Sequence, residues 1–157
     1  MPHGALHSLT LFQGLAPEDI DLLAGAFRRD KYPACKVIFA QGDPAGRLYV
    51  LISGRVAIRF KPYDGDTLPV ADIGPGGVFG WSAALGRPTY TSCAVVVEEC
   101  EAISISGEEL RRLCTSHPQT GVVILERLAG VIAERLNSTH TKVVEMLQQG
   151  IGQKAGK

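Results

Sequence analysis

Between residues 31 and 88 the chain never runs more than eight residues without Gly, Pro or Asp, too short for a helix of ordinary length. Apolar, β-branched and aromatic residues come there, and on to residue 105, in short runs: 36–40, 48–52, 55–60, 68–73, 93–97 and 101–105. Turn formers separate them: Gly42-Asp-Pro, Ser53-Gly54, Asp64-Gly65-Asp66 and Gly74-Pro-Gly-Gly77. Gly supplies positive φ and Pro fixes φ, so each cluster stops one strand and reverses the chain. Several short strands at this spacing imply a small all-β barrel or sandwich.

The flanks read differently. Residues 8–27 form a helical lead-in. Pro17, Glu18 and Asp19 suit a first turn, and Ile20, Leu22, Leu23 and Phe27 supply an apolar face. Ser106 stands three residues before Glu109, a capping-box spacing that restarts helix after the last strand. Beyond His117-Pro118 lies the longest helical stretch, 119–149. It carries two apolar stripes. Val122, Leu125, Ala129, Ile132, Leu136, Thr139, Val143 and Met146 recur at alternating spacings of 3 and 4, the seam of a coiled coil. Ile124, Leu128 and Val131 form a second stripe suited to packing on the barrel. The expectation is a homodimer through the long helix. Residues 150–157 are expected to be a disordered tail. The whole is one domain: 1–118 hold the lead-in helix, the β-roll and a short helix, and 119–149 the dimerisation helix.

Composition excludes some classes of function. Sixteen basic residues balance sixteen acidic ones, so the chain lacks the positive field of a non-specific nucleic-acid binder. Cys35, Cys93, Cys100 and Cys114 form no CxxC pair, and reduced, buried or half-buried thiols are expected. The first residues hold neither a basic segment nor an apolar one, and no apolar run approaches membrane-spanning length. The expected location is the cytoplasm. Metal-dependent catalysis needs histidines and a carboxylate converging on one point. His3, His7, His117 and His140 all lie outside the strand runs, so the chain is not expected to be an enzyme. A haem ligand from Pro2 or His3 would lack a clear second axial partner.

The order of lead-in helix, β-roll and long helix resembles the cyclic-nucleotide-binding domain of catabolite-activator-type regulators and of kinase regulatory subunits. The stretch VIFAQGDPAGRLYVLISGRV at 37–56 is similar to that family's first strands and glycine turns, and GPGGVFG at 74–80 to the approach to its phosphate-binding cassette. The resemblance covers about residues 9–148. It implies a mainly β fold with flanking helices, a jelly-roll-like double-stranded β-helix closed by a long C-terminal helix. It also implies a ligand pocket at Phe79, Gly80, Trp81, Ser82, Ala83, Tyr90, Thr91 and Ser92, with Thr139 reaching in from the helix segment RLNSTHTK.

In that family an acidic residue after the Phe-Gly pair accepts the ribose 2′-OH, and an Arg further on neutralises the phosphate. Here Trp81 follows Phe79-Gly80. In the ungapped register Tyr90 takes the place of the Arg and Ser92 that of the small residue after it; anchoring on Pro88 instead puts Thr89 there. Neither is a cation, and Arg87 is expected to be a solvated loop residue. The sequence therefore names no cofactor, and cAMP or cGMP is not expected in the family's usual pose. Trp81 and Tyr90 offer aromatic walls, and Ser82, Thr91 and Ser92 offer hydroxyls, a chemistry for a flat or apolar small molecule.

Two readings follow. One is a stand-alone sensor or regulatory module of altered specificity, acting through a separate regulatory partner protein. The other is a ligand-free dimerisation scaffold with a vestigial pocket. The winged helix of the catabolite-activator branch would follow the long helix, and so little sequence follows Gln149 that direct DNA binding is not expected. No membrane partner is expected either.

Overall fold

The computed structural model describes residues 9–61 and 68–155. Pro2, His3, His7 and the Asp64-Gly65-Asp66 turn lie outside the described residues, as do residues 156–157. A 3-10 turn, Thr10–Phe12, leads into α1, Pro17–Ala26. Six strands follow: β1 Arg28–Tyr32, β2 Val37–Phe39, β3 Arg47–Phe60, β4 Leu68–Ile73, β5 Val78–Phe79 and β6 Cys93–Ser106. Two helices end the described chain, α2 at Gly107–Ser116 and α3 at Pro118–Ala155. The sheet is antiparallel in the order β1-β6-β3-β4, with β2 added to β6 and β5 added to β3.

β3 and β6 are the frame of the roll. Each is a single long strand where the sequence suggests two. Gly54 takes φ +86 inside β3, and the β3–β6 register shifts on both sides of it. A bulge at this point bends the ribbon without ending it. The bend also brings Gly54 close to β6: a Cβ there would lie 2.5 Å from Cys100 Cβ.

Alternation along the two strands makes two cores. Leu48 and Val50 of β3, with Ile103 and Ile105 of β6, face the helices and join Leu11, Phe12, Leu23, Leu110, Ile124 and Leu128. Tyr49 and Leu51, with Cys100 and Ala102, face the roll interior and join Phe39, Val56, Ile58, Phe79 and Tyr90. A strand covered on both faces reads as a continuous apolar run, which is why residues 48–51 are all buried.

The second stripe of α3 packs as its spacing implies. The N-terminal half of the helix packs on the roll side through Ile124 and Leu128, with Val131 against the same core. Thr120 is buried and its hydroxyl donates to Asp19 Oδ1 at 2.7 Å, tying α3 to α1. At the other end the helix passes Gln149 and continues to Ala155, where a disordered tail was expected. Gly150 and Gly152 weaken a helix by about 1 kcal/mol each relative to Ala, yet no proline after Pro118 stops it. Ser106 caps α2 as expected, its hydroxyl accepting from Glu109 N–H at 3.1 Å.

All four thiols are free. Cys100 is buried and Cys93 and Cys114 are half-buried, but Cys35 is exposed rather than covered. It occupies the tight turn between β1 and β2 at φ 72, and its N–H donates to Val96 O at 2.8 Å. That bond fixes the turn and leaves the thiol outside.

Candidate functional site

A cavity of about 560 Å³ lies between the open side of the roll and the C-terminal half of α3. Its size falls within the usual range for small-molecule sites. Phe79, Gly80, Trp81, Ser82, Tyr90, Thr91 and Ser92 line it from the roll, and Thr139 from α3. Ala83 does not reach it; it is buried, and its carbonyl fills the space where Gly107 would carry a Cβ.

Gly80 sets the approach to this wall. At φ +74 it turns the chain sharply after β5, and a Cβ there would meet Arg47 O and Tyr49 Cδ1 at 3.0 Å. The chain then makes one helical turn over 81–86, with Ala84 and Leu85 N–H both donating to Trp81 O. Trp81 is left half-buried, lining the cavity and packed against the helix-side core.

Tyr90 is held much more tightly. Its backbone bonds the facing loop twice: its N–H donates to Asp43 O at 2.9 Å, and Gly42 N–H donates to its carbonyl at 2.9 Å. Its ring stacks on Phe39 with centroids 3.7 Å apart. Its hydroxyl accepts from Arg47 N–H at 2.9 Å and donates to Arg47 O at 2.6 Å. Burial pushes this phenol above its ordinary range, with the hydrogen bonds to the Arg47 backbone opposing. The hydroxyl stays protonated and is committed to the backbone, so Tyr90 presents an aromatic wall and not a polar handle. Tyr49 lies beneath, stacked on Phe79 with centroids 5.1 Å apart, and burial drives its pKa up to about 12.

More than half of the lining residues lie outside the site expected from sequence. Phe39, Ile58, Phe60 and Val70 contribute from the strands. Arg135, Leu136, Lys142, Val143, Met146 and Leu147 contribute from α3. The signal for the helix side was present, because Leu136, Thr139, Val143 and Met146 belong to the 3-4 stripe. That spacing puts them on one face but does not say what the face meets. In this chain the C-terminal part of the stripe borders the cavity, while Val122 and Leu125 point into solvent.

Arg135 is the most constrained of these. It is half-buried, its Nη2 donates to Val78 O at 2.9 Å, and its Cζ sits 5.0 Å from the centroid of the Trp81 ring. Burial lowers its pKa from the ordinary arginine value. The guanidinium thus bridges the end of β5 and the cavity wall. Arg87, by contrast, is exposed on its loop. Among the described residues no helix is long and apolar enough to cross a membrane.

Comparison with known proteins agrees with this architecture. Residues 29–117 match the cyclic nucleotide-binding domain model. The Cyclic AMP receptor protein of Thermus thermophilus is 32% identical over 158 residues, covering 90% of this chain and 71% of the relative. The CRP-like cAMP-activated global transcriptional regulator of Mycobacterium tuberculosis is 31% identical over 137 residues, covering 87% of this chain and 59% of the relative. The crystal structure of Thermus thermophilus Catabolite Activator Protein superposes with a TM-score of 0.73 at 33% identity, covering 87% of this chain and 62% of that one. The chain thus spans less than two thirds of the second relative and of that solved structure. Fold, family match and identity agree, and the chain belongs to the cyclic nucleotide-binding domain family.

Proposed function

We propose that the chain is a sensor module in which a small molecule enters the cavity and alters how α3 lies against the roll. One observation carries this reading: the cavity is walled jointly by strands and by α3. A ligand held between two elements stabilises the arrangement in which both touch it, so occupancy and helix position are linked. Such a module regulates and does not catalyse. Its output goes through the exposed side of α3, to a second copy and from there to a separate regulatory partner.

Relatives named for cAMP make cAMP the first compound to test. The residues argue against its usual pose. Where the resemblance expects a phosphate-binding Arg stands Tyr90, whose hydroxyl is bound to the Arg47 backbone. Where it expects an acid for the ribose stands Trp81, with Arg135 against its ring. A phosphate in that pose would forgo a charge-assisted pair of about 1.5–3 kcal/mol.

Trp81 is the sole tryptophan of the chain, so its emission reports the cavity directly. The test is a titration with cAMP, cGMP and apolar organic acids, followed by hydrogen exchange. A compound that shifts Trp81 emission is expected to raise amide protection in α3 around 135–147. Emission unmoved by every compound would favour the ligand-free scaffold instead.

The second copy is proposed to meet α3 on Val122 and Leu125, which are 55% and 44% exposed and belong to the 3-4 stripe. Sedimentation velocity on the V122E/L125E variant is expected to show dissociation. An unchanged sedimentation coefficient would place the contact elsewhere.

A further inference from the structure

The cavity is apolar over most of its wall, and α3 brings two cations to it, Arg135 and Lys142. Seven residues apart, they stand on one face of the helix, two turns from each other. Lys142 is exposed at the rim and Arg135 is half-buried. The two do different work.

Arg135 has lost part of its water without gaining an opposite charge. Burial lowers its pKa, and the ion pairs seen among the described residues, such as Arg28 to Asp30, Arg29 to Glu101, Arg55 to Asp72 and Arg112 to Glu108, do not include it. A guanidinium carries five N–H donors and stays charged. Val78 O takes one, and the Trp81 face lies against the planar group. Donors remain to hold an anion at the edge of the cavity, in the two-pronged geometry that suits a carboxylate.

The rest of the wall carries no charge and is mostly apolar. Phe60, Trp81, Val143 and Met146 offer carbon surface. The Tyr90 hydroxyl is spent on the Arg47 backbone. Charge is therefore confined to the helix side, while the roll side offers carbon surface with the neutral side chains of Ser82, Thr91 and Ser92.

From this asymmetry we infer that the cavity takes an amphipathic organic monoanion, its carboxylate held by Arg135 with Lys142 as the outer charge and its aromatic or alkyl body between the roll and α3. The inference rests on the sensor reading above and adds the class of ligand. It moves the recognising cation from the roll to the helix.

The probes are decanoate and phenylbutanoate, each with its neutral amide, and cAMP, titrated against the full chain with Trp81 emission as the readout. Each acid is expected to bind about tenfold or more tightly than its amide. Arg135→Gln should erase that preference, Arg135→Lys should keep part of it, and Lys142→Gln should weaken it by a smaller factor. Thermal melts of the free variants check that they fold. If Arg135→Gln does not fold, ionic strength decides on the native chain: added salt should weaken the acids and leave the amides unchanged. Equal affinity for acid and amide, a preference that survives Arg135→Gln, or cAMP binding more tightly than both acids would each overturn the inference. Amides that bind as well as acids would leave the sensor reading standing. Silence from every probe, cAMP included, would remove both.

Discussion

Replacing Tyr90 by Phe deletes one oxygen and keeps the ring. The ring is buried and stacked on Phe39 at 3.7 Å, so the aromatic packing survives. What goes is the clasp on the Arg47 backbone, one bond accepted at 2.9 Å and one donated at 2.6 Å. A protein hydrogen bond contributes about 0.5–1.5 kcal/mol net, and a buried partner left alone costs about 1–3 kcal/mol. Arg47 is only half-buried, so water recovers part of the loss, and the expected destabilisation is about 2 kcal/mol. In a chain of this size that is about 4–8 °C in Tm. Urea unfolding followed by Trp81 emission measures it as a lower midpoint at unchanged slope. Tyr90→Arg is the sharper comparison, because it places a cation where the resemblance expects one. It must lose the same clasp and also bury charge against Phe39, so it should be less stable than Tyr90→Phe. A Phe variant within about 0.5 kcal/mol of the native chain, or an Arg variant as stable as the native chain, would refute the view of Tyr90 as a brace.

The other expectations are independent of that clasp. Gly80 and Gly86 have nearly the same φ, +74 and +73, but only Gly80 is hemmed in, with nothing within 4 Å of a Cβ at Gly86. Gly86→Ala should therefore cost about 1 kcal/mol for backbone strain alone and Gly80→Ala about 2–3 kcal/mol, and equal losses would refute the close-approach argument. Thr120→Val removes the bond to Asp19 and should cost about 1–2 kcal/mol in urea unfolding; no loss would mean that α1 and α3 are held by their apolar contacts alone. Alkaline stability follows from Tyr49, raised from 10.0 to about 12. A raised folded-state pKa gives stability that is full below pH 10 and is lost as pH climbs toward 12, because the unfolded chain ionises first. The loss should reach about 2–3 kcal/mol and shrink in Tyr49→Phe; an identical alkaline profile for that variant would refute the assignment.

What the sequence disclosed follows from which forces are local. Turn chemistry at Gly42, Gly54 and Gly74–Gly77 bounded the strand runs correctly in most places. At Ser53-Gly54 the same signal marked a bulge and not an end, because β6 continues to pair across it. β1 escaped notice for the opposite reason. Arg28–Tyr32 is RRDKY, with no apolar alternation to detect. It is a strand because β6 offers it an edge, from Arg28 opposite Ser104 to Tyr32 opposite Cys100. Long-range pairing of this kind leaves no trace in local periodicity. At the cavity, the resemblance pointed to the segment from Phe79 to Ser92 but not to Phe39, Ile58, Phe60 and Val70 on the strands. Arg135 and Lys142 were not, because helix spacing fixes which residues share a face and not which sheet residue that face meets. Arg135 is placed by Val78 and Trp81, residues more than fifty positions earlier.

The division of α3 has a consequence for how a signal would leave this module. Its first half is anchored by Ile124 and Leu128 in the core, by Thr120 on Asp19 and by Arg127 on Leu11 O. Its second half is held where Arg135 meets Val78 and where the apolar stripe borders the cavity. Leu136 and Val143, 60% and 47% exposed, belong both to that border and to the seam proposed for a second copy. If ligand and second copy both use this stripe, each biases its arrangement for the other, and coupling between them is the expected result. Coupling of two binding equilibria is reciprocal: the factor by which ligand changes dimer affinity is the factor by which dimerisation changes ligand affinity. A tenfold factor corresponds to about 1.4 kcal/mol. The prediction is that decanoate affinity, read by Trp81, differs between protein concentrations below and above the dimer dissociation constant. The V122E/L125E variant should show the low-concentration value throughout. An affinity independent of concentration in the native chain would mean that the cavity and the seam do not share the helix, and that any signal leaves by another face.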